Sequence, residues 1–154
     1  MRVGVVAGEP SGDYLGAGLM EALSRRNPGM EFIGIGGPRM ERAGLKKLFD
    51  MERISIMGID ELLHSLKDIL NIRKTLFRHF LEMDIPLFIG IDVPDFNIGL
   101  EGRLRKHGIT TVHYVSPTVW AWRGYRIRKI RRSVSRMLTL FPFEAKYYEK
   151  HGKR

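Results

Sequence analysis

The sequence predicts an α/β fold with a doubly wound, mostly parallel sheet. Two patterns predict it: short apolar runs of strand length, several ending in glycine or an acid, and amphipathic stretches of helix length between them. A third observation bounds it. The chain has 154 residues, 44% hydrophobic and 28% charged, which suits one domain able to bury a core.

Taken in order, "RVGVVAG" (2–8) is an apolar run that ends in glycine and reads as a buried strand over 2–7. "EPSG" breaks it. From Asp13 onward Leu15, Leu19, Ala22 and Leu23 make one helical stripe, with Asp13 near its N-terminus. "EFIGIGG" is a second strand over 31–35, and "PRMERAG" (38–44) a short helix with Pro first and Gly last. "RISIMGIDELL" (53–63) is apolar and irregular. Residues 65–82 carry Leu66, Ile69, Leu70, Ile72, Leu76, Phe77 and Phe80 at helical spacing. "PLFIGID" holds a strand over 87–91, followed by a helix from about Pro94 to His107 that Gly108 closes. "ITTVHYV" holds a strand over 109–114, and "YRIRKIRRSV" (125–134) is a short basic helix. A last strand over 136–140, a Pro break and a helix complete the chain.

No cysteine is present, which excludes a disulfide framework and thiolate metal ligands. The five histidines are scattered without metal-binding spacing, so no metal is expected. The opening residues lack the long apolar core of a signal peptide, and no apolar run approaches the roughly 20 residues of a spanning helix. The expected compartment is the cytoplasm. Net charge is +1 over residues 1–77 and +8 over 78–154. That asymmetry suits an anionic partner for the second half, or simply a solvated basic face.

In open α/β sheets ligands sit beyond the carboxyl ends of the strands, and the unusual residues of this chain cluster there. "AGEPSGD" is neither a dinucleotide fingerprint nor a P-loop. Gly8 and Gly12 permit a tight turn and close backbone approach, while Ser11 or Asp13 suits a helix N-cap. "GIGGPRM" reads equally as a binding loop or a packing turn. In "GIDVPDFN", Pro94 suits the first helical position and pushes Val93 to an extended conformation. Asp95 then faces the helix dipole. Asp92, last in its strand, has no capping duty and can accept a proton from a substrate hydroxyl. "SPTVWAWRG" sets Trp120 and Trp122 beside Arg123, either as core packing or as a platform for a sugar or lipid interface. In the basic stretch Ile127, Ile130, Val134 and Met137 form a narrow apolar stripe among arginines, the pattern of a helix on anionic headgroups.

The blocks "AGEPSGDYLGAGLMEAL", "GIGGPRM", "MGIDELL", "GIDVPDFN", "HYVSPTVWAWR" and "FPFE", in this order, resemble the N-terminal part of the lipid-A-disaccharide synthase family. The resemblance covers essentially the whole chain. It implies a Rossmann-like half of a GT-B inverting glycosyltransferase, with residues 1–154 as the acceptor-side domain and the C-terminal UDP-sugar domain absent. The implied reaction joins UDP-2,3-diacylglucosamine to 2,3-diacylglucosamine 1-phosphate (lipid X), releasing UDP and forming a β-1,6 disaccharide. No cofactor is implied, since the UDP-sugar is a substrate. Asp92 is the implied general base, and Glu9 and Ser11 are implied to share its cleft. Gly12, Gly36, Gly37, Asn97, Ser116, Trp120 and Arg123 complete the expected substrate contacts.

The expected partners are those two glycolipids, the anionic inner-membrane surface and a C-terminal domain. The chain by itself is expected to be inactive. Peripheral membrane contact is expected through Ile56 and Met57, rimmed by Lys67, Arg73 and Lys74, and through Arg128, Lys129 and Arg132. The alternative is a non-catalytic α/β module that binds membrane or nucleic acid through the basic second half. No nucleic-acid recognition motif accompanies those basic residues, so nucleic acid is not an expected partner.

Overall fold

The computed structural model describes residues 1–55, 62–115 and 125–139, together with Lys146 and Glu149. Six parallel strands form one sheet: β1 (Arg2–Ala7), β2 (Glu31–Gly36), β3 (Leu45–Asp50), β4 (Leu87–Ile91), β5 (Thr110–Tyr114) and β6 (Arg136–Leu138). Their order is β3-β2-β1-β4-β5-β6, the doubly wound Rossmann-like order. The central strands are near-continuous apolar runs because helices cover both faces. Helices α1 (Pro10–Arg26) and α2 (Pro38–Arg42) pack on one face with Val3, Val5, Ala7, Ile89 and Ile91. Helices α3 (Leu62–Glu82) and α4 (Pro94–Lys106) pack on the other with Val6, Ile35 and Phe88. Helix α5 (Tyr125–Ser133) joins α4 and β6 through Ile98, Ile130, Val134 and Met137.

Strand β3 is absent from the expected elements. Its "LKKLFD" carries Lys46 and Lys47 exposed on an edge strand, so its apolar content is that of a loop. Helix α1 starts at Pro10, earlier than expected, with Glu9 at the N-cap position. Neither Ser11 nor Asp13 caps it. Val93 is not extended: its φ of 36° and ψ of 62° are left-handed, so packing overrides the pre-proline preference. Of the apolar stripe, Ile130, Val134 and Met137 are buried with Ile98 of α4 rather than turned to lipid, while Arg128, Lys129 and Arg132 are exposed. Arg105 of α4 donates to the carbonyls of Arg131 (2.6 Å) and Val134 (3.0 Å), closing α5 with a positive charge at its C-terminal end. The expected terminal helix falls, Lys146 and Glu149 apart, outside the described residues.

Along α3, Ile69, Ile72, Leu76 and Phe80 are buried, and Phe80 meets Phe88 of β4 at 5.6 Å between ring centroids. Leu66 and Leu70, one turn apart, are each 46% exposed. Among the described residues no helix is long and apolar enough to cross a membrane.

Candidate active site

The strand order reverses between β1 and β4, so the loops that leave their carboxyl ends diverge and open a crevice. Glu9 and Ser11 lie exposed after β1, and Asp92, half-buried, lies after β4. A Cβ on Gly8 would stand 2.8 Å from Val93, so this glycine lets the two loops touch.

Strand β4 ends at Ile91, and Asp92 follows in a left-handed conformation with φ of 54°. Two consecutive non-glycine residues with positive φ, one of them β-branched, cost free energy that the surroundings must hold in place. They do so from two sides. The Asp92 N–H donates to the Tyr114 carbonyl at the end of β5 (2.8 Å), and the Asp92 carbonyl accepts from Asn97 Nδ2 (2.9 Å). The same Asn97 amide reaches the carbonyls of Val6 (3.2 Å) and Ile91 (3.4 Å). Asn97 is fully buried, so this expected substrate contact is instead a clamp on the loop. Asp95 lies exposed in the first turn of α4, and its carbonyl accepts from Arg73 Nη1 at 3.4 Å.

The glycines after β2 serve packing. A Cβ on Gly36 would stand 2.6 Å from Met40 Sδ, and one on Gly37 2.5 Å from Asp13 Oδ2. Both are buried, and their Cβ positions are taken by the side chains of Met40 and Asp13. Gly12 is buried as well; its Cβ would stand 3.3 Å from the Ala7 Cβ, the close approach that seats α1 on the sheet. Asp13 has a duty that its sequence position hides. Its buried carboxylate crosses to α2 and accepts from the N–H groups of Gly37 (3.0 Å), Arg39 (3.1 Å) and Met40 (2.9 Å). It thus satisfies the first turn of a five-residue helix from another element.

Beside the crevice runs a groove of about 290 Å³. Ile54, Leu66, Leu70, Val93 and Phe96 give it apolar walls, and Glu9, Asp95 and Arg73 give it charge. Arg73 is not at an outer rim. It lies half-buried across α4, where a Cβ on Gly99 would stand 2.6 Å from its Nη1. Burial lowers its pKa, helped by the nearby Arg103 charge. Lys67 and Lys74 are exposed. Ile56, Met57, Ser116, Trp120 and Arg123 lie outside the described residues.

One buried pair escaped the sequence reading. His113 Nδ1 of β5 meets Glu101 Oε1 of α4 at 2.7 Å, both side chains wholly buried. Burial pushes the Glu101 carboxyl up to about 7, with His113 pulling it back. A polar residue at 97 and an acid at 101, on the face that also carries Leu100 and Leu104, were the available signal.

A family model described as lipid-A-disaccharide synthetase matches residues 3–154. A protein of Pseudomonas aeruginosa (strain LESB58), named lipid-A-disaccharide synthase, is 57% identical over 152 residues, 99% of this chain and 40% of its own length. One of the same name from Azotobacter vinelandii is 58% identical over 149 residues, 97% of this chain and 39% of its own length. The chain therefore spans about 40% of the length of the curated relatives it matches. The crystal structure of Acinetobacter baumannii MurG superposes with a TM-score of 0.53 at 14% identity, covering 92% of this chain and 41% of that one. That likeness shows the fold alone. The expectation of a non-catalytic module finds no support in these matches.

Proposed function

We propose, from the premise that this chain belongs to the lipid-A-disaccharide synthetase family, that it forms the acceptor side of a glycolipid glycosyltransferase cleft of the GT-B type. The whole reaction belongs to the polypeptide that carries this half together with a UDP-sugar-binding half. In it, the Asp92 carboxylate takes the proton from an acceptor hydroxyl of 2,3-diacylglucosamine 1-phosphate. That oxygen forms a bond to the anomeric carbon of UDP-2,3-diacylglucosamine. The bond to UDP breaks, UDP leaves with the electron pair, and the carbon inverts to give the β-1,6 disaccharide. Glu9 and Ser11 line the same crevice. Ser116, Trp120 and Arg123 remain proposed substrate contacts.

The observation that carries this reading is the carboxylate at the strand-order reversal, on a left-handed loop held by Asn97 and Tyr114. A strained backbone held in place by its surroundings is characteristic of functional positions. The apolar groove with a half-buried guanidinium suits a diacylated, phosphorylated sugar. Leu66 and Leu70, with Lys67 and Lys74, and the outward Arg128, Lys129 and Arg132 support peripheral contact with an anionic cytoplasmic membrane surface.

The test uses a full-length enzyme carrying this half. Asp92→Asn keeps size and polarity but cannot take a proton at neutral pH, so kcat falls by roughly 10²–10⁴ while acceptor binding stays near normal. Asp95→Asn changes stability by about 0.3–1 kcal/mol and leaves kcat in place. Loss of kcat in Asp95→Asn but not in Asp92→Asn would reverse the roles. If neither substitution mattered, the base would have to be sought at Glu9.

A further inference from the structure

Asn97 and Glu101 stand one turn apart on the buried face of α4, above Gly90 of β4. A Cβ on Gly90 would collide with Glu101 Oε1 and approach the Asn97 Cβ to 2.9 Å. Gly90 pairs in register with Val6 on one side and His113 on the other. The missing side chain therefore makes the hole in which the Glu101 carboxylate meets the imidazole. Such a pair is a poor way to gain stability, since burying it costs desolvation and apolar residues of similar volume would often serve as well. Three atoms of this row, Asn97 Oδ1, Glu101 Oε2 and His113 Nε2, have no hydrogen-bond partner among the described residues.

The row closes a loop of contacts around Asp92. Asn97 of α4 holds the Asp92 carbonyl, the Asp92 N–H is held by Tyr114, and Tyr114 follows His113, which Glu101 of α4 holds in turn. The Glu101–His113 bond is buried and the Asn97–Asp92 bond partly buried, and the step from His113 to Tyr114 is the chain itself. We infer that Glu101 and His113 are positioning residues for Asp92: by locking the end of β5 to α4, they keep the Asp92 loop in its left-handed conformation with the carboxylate fixed at the crevice. The inference rests on the reading of Asp92 as the base, but it makes a claim about the loop that can be tested without turnover.

Glu101→Leu removes the hydrogen bond and keeps the volume, whereas Glu101→Gln keeps an acceptor for His113 Nδ1–H. Amide hydrogen exchange on the 154-residue chain is the first readout. In Glu101→Leu the Asp92 amide exchanges at least roughly tenfold faster, with β1 and β2 unchanged, and Glu101→Gln restores most of the protection. The paired Glu101→Leu/His113→Leu variant, which strands neither an unpaired carboxyl nor an unpaired imidazole, gives the same result should the single variant fold poorly. In the full-length enzyme, Glu101→Leu lowers kcat by roughly ten- to a hundredfold with acceptor KM little changed. Protection at Asp92 and kcat both at wild-type level in the folded Leu variants would overturn the inference, and a loss of kcat in Asp92→Asn would then leave the base reading standing. Faster exchange at Asp92 with full turnover in Asp92→Asn would instead support the positioning of the loop and refute the base.

Discussion

Replacing Asp13 by alanine tests how much of this fold hangs on one carboxylate. The side chain is 3% exposed and accepts three hydrogen bonds from the first turn of α2. Gly37 N–H and Met40 N–H share Oδ1, and Arg39 N–H takes Oδ2. Hydrogen bonds to a charged group contribute about 1.5–3 kcal/mol each, and a buried donor left without a partner costs about 1–3 kcal/mol. The donor of Arg39 is only partly buried, so water recovers part of its loss. Counting the two buried bonds alone, Asp13→Ala destabilises by about 3–6 kcal/mol, a large share of the roughly 5–15 kcal/mol of an ordinary domain. Asp13→Asn keeps Oδ1 for Gly37 and Met40 but turns an NH₂ toward the Arg39 N–H, and costs about 1–2 kcal/mol. Urea unfolding followed by far-UV circular dichroism measures both, with an unchanged m-value showing that the unfolded state is the same. Hydrogen exchange at Gly37 and Met40 shows whether the loss is local to α2. A loss below about 1 kcal/mol in Asp13→Ala, or equal losses in the two variants, would refute the capping argument.

Glu101 makes stability depend on pH. Its folded pKa is raised from 4.5 to about 7, so its contribution is fully present below the lower value and is lost as pH rises through the upper one. Wild type should lose about 3 kcal/mol relative to Glu101→Gln between pH 4.5 and 8, measured by urea titration at each pH. A Cβ on Gly90 fills the hole that Glu101 needs, so Gly90→Ala destabilises by about 1–3 kcal/mol and speeds exchange at Asp92. Leu66→Glu with Leu70→Glu, both at exposed positions, reduces sedimentation with anionic vesicles at high salt, while Arg128→Glu with Arg132→Glu reduces it at low salt only. Unchanged binding in both pairs would remove the membrane reading.

What the sequence determined by itself is local or periodic. Contiguous apolar runs placed five of the six strands, and helical spacing placed α1 and α3, because burial of one face leaves its period in the chain, while Pro94 and Gly108 bracketed α4. Asp92 was legible as a candidate because burying an apolar strand does not require an acid at its end; its left-handed backbone was not legible. Strand β3 was not legible: an edge strand half in water, with two lysines, carries no period. Val93 obeyed the close approach of its loop to Gly8, against its own pre-proline preference. Asp13 serves backbone groups 24 to 27 residues away, and Glu101 reaches His113 only because β5 lies beside β4. Those partners are chosen by the order of strands in the sheet. Strand order is a non-local property set by which faces can be buried together, and only the folded chain decides it.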